Sequence, residues 1–300
     1  MRKTTGTRKA GLSGPARAIA GHLKALTQLT QLTLAGWLGF WVLCLFGPAM
    51  AQSEVSPDLL RRATQADIVI LGEVHDNPDH HRTQAALISE IAPAAVVWEM
   101  LTQQQAARLT PEVLRAADDL PQVLAWQQSG WPEFSLYRPV FEAARAARHW
   151  GAAVSRADAR TAMRAGVASF FGADAGRFGL DKPLAAPEQA QREADQQAAH
   201  CNALPEHLLP AMVDIQRLRD ATLARAALAA LTETGGPVVV ITGNGHARRD
   251  RGVPVYLHRA SDEVAVFALG QAEAGRVEGD FDAVISAPPV ERPDPCAAFD

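Results

Sequence analysis

Residues 66–75 read Ala-Asp-Ile-Val-Ile-Leu-Gly-Glu-Val-His, an apolar segment that ends in a glycine and is followed at once by ionisable side chains. The segment Ala66–Leu71 is short, continuous and rich in β-branched residues, which predicts a strand buried on both faces. Similar runs predict further strands at Ala94–Glu99, Pro237–Thr242 and Val264–Leu269. The chain is therefore expected to form a sheet whose strands lie in its interior.

Helical patterns separate these strands. We predict helices at His80–Ile91, Pro139–His149, Ala185–Ala199 and Pro205–Leu231, and a helical insertion over Thr102–Gly130. Apolar strands alternating with helices are typical of a parallel sheet with helices on both faces. The predicted fold class is α/β, with a mostly parallel sheet flanked by helices.

Two strands run into the same short motif. Gly72-Glu73-Val74-His75 follows the first strand, and Gly243-Asn244-Gly245-His246 follows the third. Glu99 ends the second strand. Ligands of open α/β sheets bind beyond the carboxyl ends of the strands, so we expect both histidines and Glu99 to face one pocket.

The residue types at these turns leave two functions open. Imidazole and carboxylate groups are ligands of catalytic divalent metals such as Mn, Zn or Co. The set Glu73, His75, Glu99 and His246 would then serve as metal ligands and catalytic groups, with one carboxylate as general base toward a metal-bound water. The same groups also suit haem, which needs apolar walls as well.

The first 51 residues have the pattern of an export signal. They contain six basic residues and no acidic residue, and the first acidic residue of the chain is Glu54. The apolar run Leu34–Phe46 has 13 residues, fewer than the roughly 20 that span a bilayer, and Ala49-Met50-Ala51 is a small-x-small site. We predict a signal peptide over 1–51 and export to the periplasm, with an uncleaved anchor as the alternative. Cys44 lacks the small preceding residue of a lipoprotein signal.

Removal of residues 1–51 changes the charge and the cysteine count. The whole chain has 29 basic and 33 acidic residues and a net charge of −4; loss of the six basic residues leaves 23 against 33, a charge of −10. Such an acidic chain is a poor partner for nucleic acid, so none is expected. Cys201 and Cys296 remain, either as a disulfide or as two free thiols. Within the exported chain we predict a domain over 52–275 and a loosely ordered tail over 276–300.

Several segments together resemble the ChaN-like haem-binding uptake proteins of the Tiki/TraB-like superfamily. The resemblance begins with residues 70–81, Ile-Leu-Gly-Glu-Val-His-Asp-Asn-Pro-Asp-His-His. It continues through Val97–Met100, Trp131, Tyr137-Arg138-Pro139, Gln216–Ala224 and Gly243–Pro254. It implies an exported protein that binds haem in haem or iron uptake at the cell envelope. Other branches of the superfamily are metal-dependent proteases or hydrolases, and a globular domain without activity is a third reading.

The resemblance also implies roles for individual residues. Tyr137 is the implied haem ligand, since a phenolate suits ferric haem. The implied cofactor-binding set is His75, Tyr137, Arg160, Asn244, His246 and Arg248, in which the arginines would pair with haem propionates. The sequence departs from the family's Asn-x-Pro-Arg element, because Asp158-Ala159-Arg160 retains only the arginine. The implied partners are haem or another small molecule, an envelope transporter and a second copy of the chain.

Overall fold

The computed structural model describes residues 55–298, and the predicted signal peptide lies outside them. Six strands form one sheet: β1 Ile68–Glu73, β2 Ala95–Trp98, β3 Arg148–Gly151, β4 Val238–Gly243, β5 Val266–Glu273 and β6 Ala283–Ala287. Their spatial order is β3-β2-β4-β1-β5-β6, and every neighbouring pair is parallel. The predicted α/β fold is therefore confirmed.

Twelve α-helices surround the sheet in the described part of the chain. They are α1 Pro57–Thr64, α2 Pro78–Ile91, α3 Gln103–Ala106, α4 Pro111–Arg115, α5 Leu120–Val123, α6 Phe134–Ala143, α7 Arg156–Ala165, α8 Val167–Phe171, α9 Ala186–Ala199, α10 Leu209–Thr234, α11 Asn244–Ala247 and α12 Val253–Ala260. None of these helices combines the length and the apolar character needed to cross a membrane.

Side chains that alternate along the strands build two cores. Val69 and Leu71 of β1 pack on one face with Leu87 of α2. Ile68 and Ile70 point to the other face, where α10 and α12 cover them. Successive side chains of a strand point to opposite faces, so a strand between two cores is buried along its whole length. This explains why all six residues of β1 are buried.

Two strands correct the sequence analysis. Strand β3, Arg148–Gly151, overlaps the end of the predicted helix Pro139–His149, and α6 ends at Ala143 instead. β3 is a four-residue edge strand that contains Arg and His, so it lacks the apolar run by which the other strands are found. Strand β6 lies in the tail that was expected to be loosely ordered, and it pairs with β5 from Leu269↔Ala283 to Glu273↔Ala287.

The strand order sets the place of the site. Strand β4 lies between β1 and β2, and its register with β1 ends at Glu73↔Gly243. The two Gly-x-x-His turns therefore leave adjacent strands at the same edge of the sheet. Glu99 follows β2 on the other side of β4, which brings all three elements together as predicted.

The tail is fixed by a disulfide and by an arginine. Cys201 and Cys296 are joined, which decides between the two readings of these cysteines. Arg292 forms ion pairs with Asp76, at 2.6 Å, and with Glu273, at 2.7 Å. Asp76 directly follows His75, so the tail is tied to the first Gly-x-x-His turn.

Replacement of both cysteines by serine is expected to lower the free energy of unfolding by about 2 kcal/mol, at the lower end of the usual range for disulfides. The loss is modest because β6 and Arg292 still hold the tail. Urea denaturation measures it. Reductant should lower the wild type to the level of the double variant and leave the variant unchanged. Equal stability of reduced and oxidised wild type would contradict the prediction.

Candidate functional site

A buried carboxylate organises the end of β1. The Glu73 side chain is fully buried, and its Oε1 accepts hydrogen bonds from the Tyr137 hydroxyl at 2.6 Å and from His75 Nδ1 at 2.8 Å. Its Oε2 accepts one from Gln84 Nε2 at 2.7 Å. The Nε2 atom of His81, also buried, lies 3.4 Å from Oε2. Glu73 is thus an anchor beneath the site rather than a group on its surface.

Charge pairing decides the protonation of this cluster. Burial alone would raise the pKa of Glu73, but interactions with His75 and His81 outweigh it and hold that pKa far below its usual value. Burial alone would lower the pKa of His75, but Glu73 and the nearby Glu99 raise it to about 9. At neutral pH the two groups therefore form an imidazolium–carboxylate pair.

A second imidazole–carboxylate pair follows β4. His246 Nδ1 lies 2.7 Å from Asp220 Oδ1 on α10, and His246 Nε2 lies 3.6 Å from Glu99 Oε1. Glu99 Oε2 accepts hydrogen bonds from the Gly243 amide, at 2.8 Å, and the Thr242 hydroxyl, at 2.7 Å. Burial opposes the charge on His246, but Glu99 and Asp220 raise its pKa nonetheless. Glu99 is thereby fixed between the two histidine turns.

The glycine that opens each motif makes room for the other motif. A Cβ atom on Gly243 would lie 3.0 Å from His75 Nε2, and one on Gly72 would lie 2.5 Å from Asn244 Oδ1. Any side chain at these positions would push the opposite turn away. This close approach, more than backbone freedom, explains why both turns begin with glycine.

These turns open onto a cavity of about 780 Å³. That volume lies in the range of roughly 300–1,000 Å³ typical of small-molecule sites. The His75 side chain is 35% exposed, and the Trp131 ring meets its imidazole edge-on, with the ring centroids 4.7 Å apart. The lining includes His75, Glu99, Met100, Trp131, Ala152, Arg156, Gln216, Arg219, Leu223 and His246. The cavity thus combines imidazole, apolar and cationic groups.

The role of haem ligand implied for Tyr137 is not compatible with its position. Tyr137 is 0% exposed, is absent from the cavity lining and donates its hydroxyl to Glu73. Burial, reinforced by the negative charge of Glu73, raises the pKa of Tyr137 far above its usual value. A phenolate ligand needs the opposite environment, because the phenol must lose its proton. His75 is the group of this cluster that lines the cavity.

The other implied cofactor-binding residues also lie elsewhere. Arg160 is exposed on α7 outside the cavity lining, and Arg248 pairs with Asp250 at 2.5 Å. Both polar atoms of the Asn244 side chain bond to the backbone of Gln271, at 2.8 and 2.9 Å, so Asn244 holds β5 in place. Of the implied cofactor-binding set, only His75 and His246 line the cavity.

Arg156 and Arg219 are the arginines that line it. Arg156 opens α7 just after the N-cap Ser155, whereas Arg160 lies one turn further along the helix. Asp158 forms a capping box with Ser155. Arg156, and not the predicted Arg160, is therefore the arginine of α7 that lines the cavity.

Sequence reasoning also missed the helix α10 as a wall of the site. Gln216, Arg219 and Leu223 line the cavity, and Asp220 holds His246. Counted from Gln216, the residues Arg219, Asp220 and Leu223 follow after three, four and seven positions, which places all four on one helix face. A polar stripe of this kind on a helix that covers the sheet is the signal that could have identified Asp220 and Arg219.

A comparison with protein families gives a match over most of the described chain. The model of the family described as haem-binding uptake, Tiki superfamily, ChaN, matches residues 59–257. The chain belongs to this family. The match spans the strands β1 to β4 and both Gly-x-x-His turns. No curated protein matches the sequence.

Solved structures add a likeness in fold. A structure described as cofacial haem binding to ChaN of Campylobacter jejuni is 20% identical, with a TM-score of 0.58, and the match covers 76% of this chain and 89% of that one. The type III effector HopBA1 is 14% identical, with a TM-score of 0.41 and coverage of 77% and 91%. A Bacillus cereus protein is 15% identical, with a TM-score of 0.34 and coverage of 75% and 70%. The likeness to the Campylobacter jejuni structure, at 20% identity, shows the fold alone.

The metal-site alternative finds no support in this member of the ChaN family. Within residues 55–298, no group of three or more His, Cys, Asp or Glu side chains is arranged to hold a metal ion. Glu73 is committed to Tyr137, His75 and Gln84, and Glu99 to Thr242 and the Gly243 amide. These carboxylates hold the histidine turns in place.

The Glu73–His75 pair predicts a stability maximum in mildly acidic solution. Because the pKa of Glu73 is lowered from 4.5, its contribution is present above pH 4.5 and is lost as the pH falls through the folded value. Because the pKa of His75 is raised from 6.5 to about 9, its contribution is complete below pH 6.5 and is lost as the pH rises through about 9. Urea denaturation between pH 4 and 10 checks this. In His75→Ala the free energy of unfolding should fall less steeply between pH 6.5 and 9 than in the wild type. An equally steep fall in the variant contradicts the prediction.

Proposed function

We propose that this protein binds haem in the cavity beside β1, with the His75 imidazole as the iron ligand, in haem or iron uptake or handling at the cell envelope. The observation that carries the proposal is the position of His75. Its Nδ1 atom is fixed by the buried Glu73, while the ring lines the cavity and is partly exposed. The imidazole is therefore held in place and reachable by a ligand.

The chemistry of the lining fits haem. Haem would supply a planar apolar ring, an iron centre that accepts a ligand from the protein, and two carboxylates. Trp131, Met100 and Leu223 provide apolar wall, and Arg156 and Arg219 are available to the carboxylates. Arginine suits such pairing because its planar fork matches a carboxylate.

Glu73 forms with His75 the hydrogen bond that a histidine bound to a metal usually makes with a neighbouring carboxylate. A carboxylate on one ring nitrogen orients the imidazole, leaves the other nitrogen to the metal and increases its basicity. Since the same pairing raises the pKa of His75, ligation must displace a proton, and haem binding is expected to release one.

We also propose that residues 1–51 direct export to the periplasm. The basic and apolar pattern of this segment supports the proposal, and so does the Cys201–Cys296 disulfide, because disulfides persist in oxidising compartments. Intact mass of the protein from the envelope fraction tests it. A chain that starts at Gln52 is expected, and a chain that retains Leu34–Phe46 contradicts cleavage. An envelope transporter and a second copy of the chain remain predicted partners.

Hemin titration, followed by the Soret band, tests haem binding. We expect saturation at one hemin per chain. Arg156→Ala and Arg219→Ala should each weaken the affinity about tenfold, as the loss of a charge-assisted hydrogen bond does. Arg160→Ala is the matched control and should leave the affinity unchanged. A Soret band that does not saturate, or equal losses in all three variants, contradicts binding in this cavity.

A further inference from the structure

A second cavity, of about 370 Å³, shares no lining residue with the cavity around His75. Four of its lining side chains are basic: Arg177, Lys182, Arg217 and Arg259. Glu188 is the one acidic residue in its lining. This concentration of positive charge is notable because the sequence from residue 52 onward has 23 basic and 33 acidic residues, and Lys182 is its only lysine.

Acidic neighbours neutralise only part of the positive charge of this cavity, since Arg217 pairs with Asp214 at 3.0 Å. Glu188 pairs with Arg192 at 2.6 Å, outside the lining. In the described part of the chain, no salt bridge involves Arg177, Lys182 or Arg259. These three exposed cations therefore leave the cavity with a positive field.

Arg217 builds the floor of the cavity. It is 4% exposed; its Nη1 atom donates to Asp214 at 3.0 Å, and its Nη2 atom donates to the carbonyl oxygens of Gly179 and Lys182, at 2.9 and 2.7 Å. These bonds fix the loop that carries Lys182. The buried guanidinium of Arg217 therefore places a fixed positive charge beneath this loop.

The N-terminus of α9 lies at the same cavity. Leu184 and Ala185 line it, and the 14-residue helix begins at Ala186. The N-cap residue Ala185 has no side chain that could accept from the first free N–H groups. Pro187 has no N–H group and Glu188 already places a carboxylate in the first turn, so this terminus contributes the positive end of the helix dipole and few free donors.

We propose that this cavity binds a phosphate-type oxyanion. Three exposed cationic side chains, a buried guanidinium and the positive end of a helix dipole meet at the same cavity. A phosphate group, with several acceptor oxygens and more than one negative charge, matches this set better than a single carboxylate does. The phosphate could belong to a soluble ester or to a lipid headgroup, and the site recognises the chemistry that both share.

Calorimetric titration of the full chain with inorganic pyrophosphate at low salt tests the proposal. We expect one saturable site, about tenfold weaker in Lys182→Glu and in Arg259→Glu. Both residues are exposed, so the variants should fold. Arg164→Glu, an exposed charge reversal on α7, is the matched control and should change the affinity less than twofold.

Vesicle binding distinguishes the two sources of phosphate. Binding of pyrophosphate but not of anionic phospholipid vesicles indicates a soluble ester, and binding of the vesicles alone, lost in Lys182→Glu, indicates a headgroup. Absence of both, or equal binding by wild type, Lys182→Glu and Arg259→Glu, overturns the proposal.

Discussion

Replacement of His75 by alanine is expected to weaken hemin binding by about 100-fold or more. The substitution removes the proposed iron ligand, whereas loss of an outer partner of a metal ligand alone costs roughly 10–100-fold. The apolar wall and the two arginines persist, so residual binding should lack the spectrum of the wild-type complex. Hemin titration followed by the Soret band measures both effects.

Two controls separate ligand loss from damage to the fold. His258→Ala removes an exposed histidine from α12 and should leave hemin binding unchanged. Free imidazole added to His75→Ala should restore the wild-type spectrum, because the substitution leaves a space of the right size beside the cavity. Wild-type affinity in His75→Ala, or no response to imidazole, contradicts the role of His75.

Replacement of Glu73 by alanine is expected to have the largest effect on stability, about 3–5 kcal/mol, the usual cost of removing one partner of a buried ion pair. The charge of His75 loses its partner, and the Tyr137 hydroxyl and the Gln84 amide lose their acceptor. Urea denaturation at pH 7 measures the loss in free energy of unfolding.

Comparison with conservative and distant variants sharpens this prediction. Glu73→Gln keeps an acceptor oxygen and most of the volume, so it should cost less than Glu73→Ala. Glu90→Ala, at an exposed position on α2, should change stability by less than about 0.5 kcal/mol. A loss below 1 kcal/mol in Glu73→Ala would show that Glu73 does not anchor the first turn.

The sequence was informative where local pattern and function coincide. The run of residues 66–75 predicted a buried strand that delivers Glu73 and His75 to the edge of the sheet, and the structure confirms this placement. The four predicted strands are buried on both faces and therefore contain continuous apolar runs. The edge strand β3 contains Arg148 and His149, which concealed it. Strand β6 is a short, mostly apolar run that precedes a Pro-rich end, and only its Ile285 is buried, so its neighbours in sequence led to the prediction of a loose tail.

The roles of individual site residues could be assigned only from the three-dimensional structure. Tyr137 and His75 both belong to family motifs, but only the structure shows that Glu73 holds the tyrosine hydroxyl inside and leaves the imidazole at the cavity. Likewise, one helical turn separates Arg156 from Arg160 and decides which of them reaches the cavity. Sequence proximity cannot resolve such choices, since they depend on side-chain direction.

The identity of the axial ligand tests the central claim most directly. Magnetic circular dichroism and resonance Raman spectra of the ferric haem complex distinguish histidine from tyrosinate ligation. We predict a histidine-ligated spectrum that is unchanged in Tyr137→Phe and lost in His75→Ala. A tyrosinate spectrum that disappears in Tyr137→Phe and persists in His75→Ala would contradict the assignment of His75.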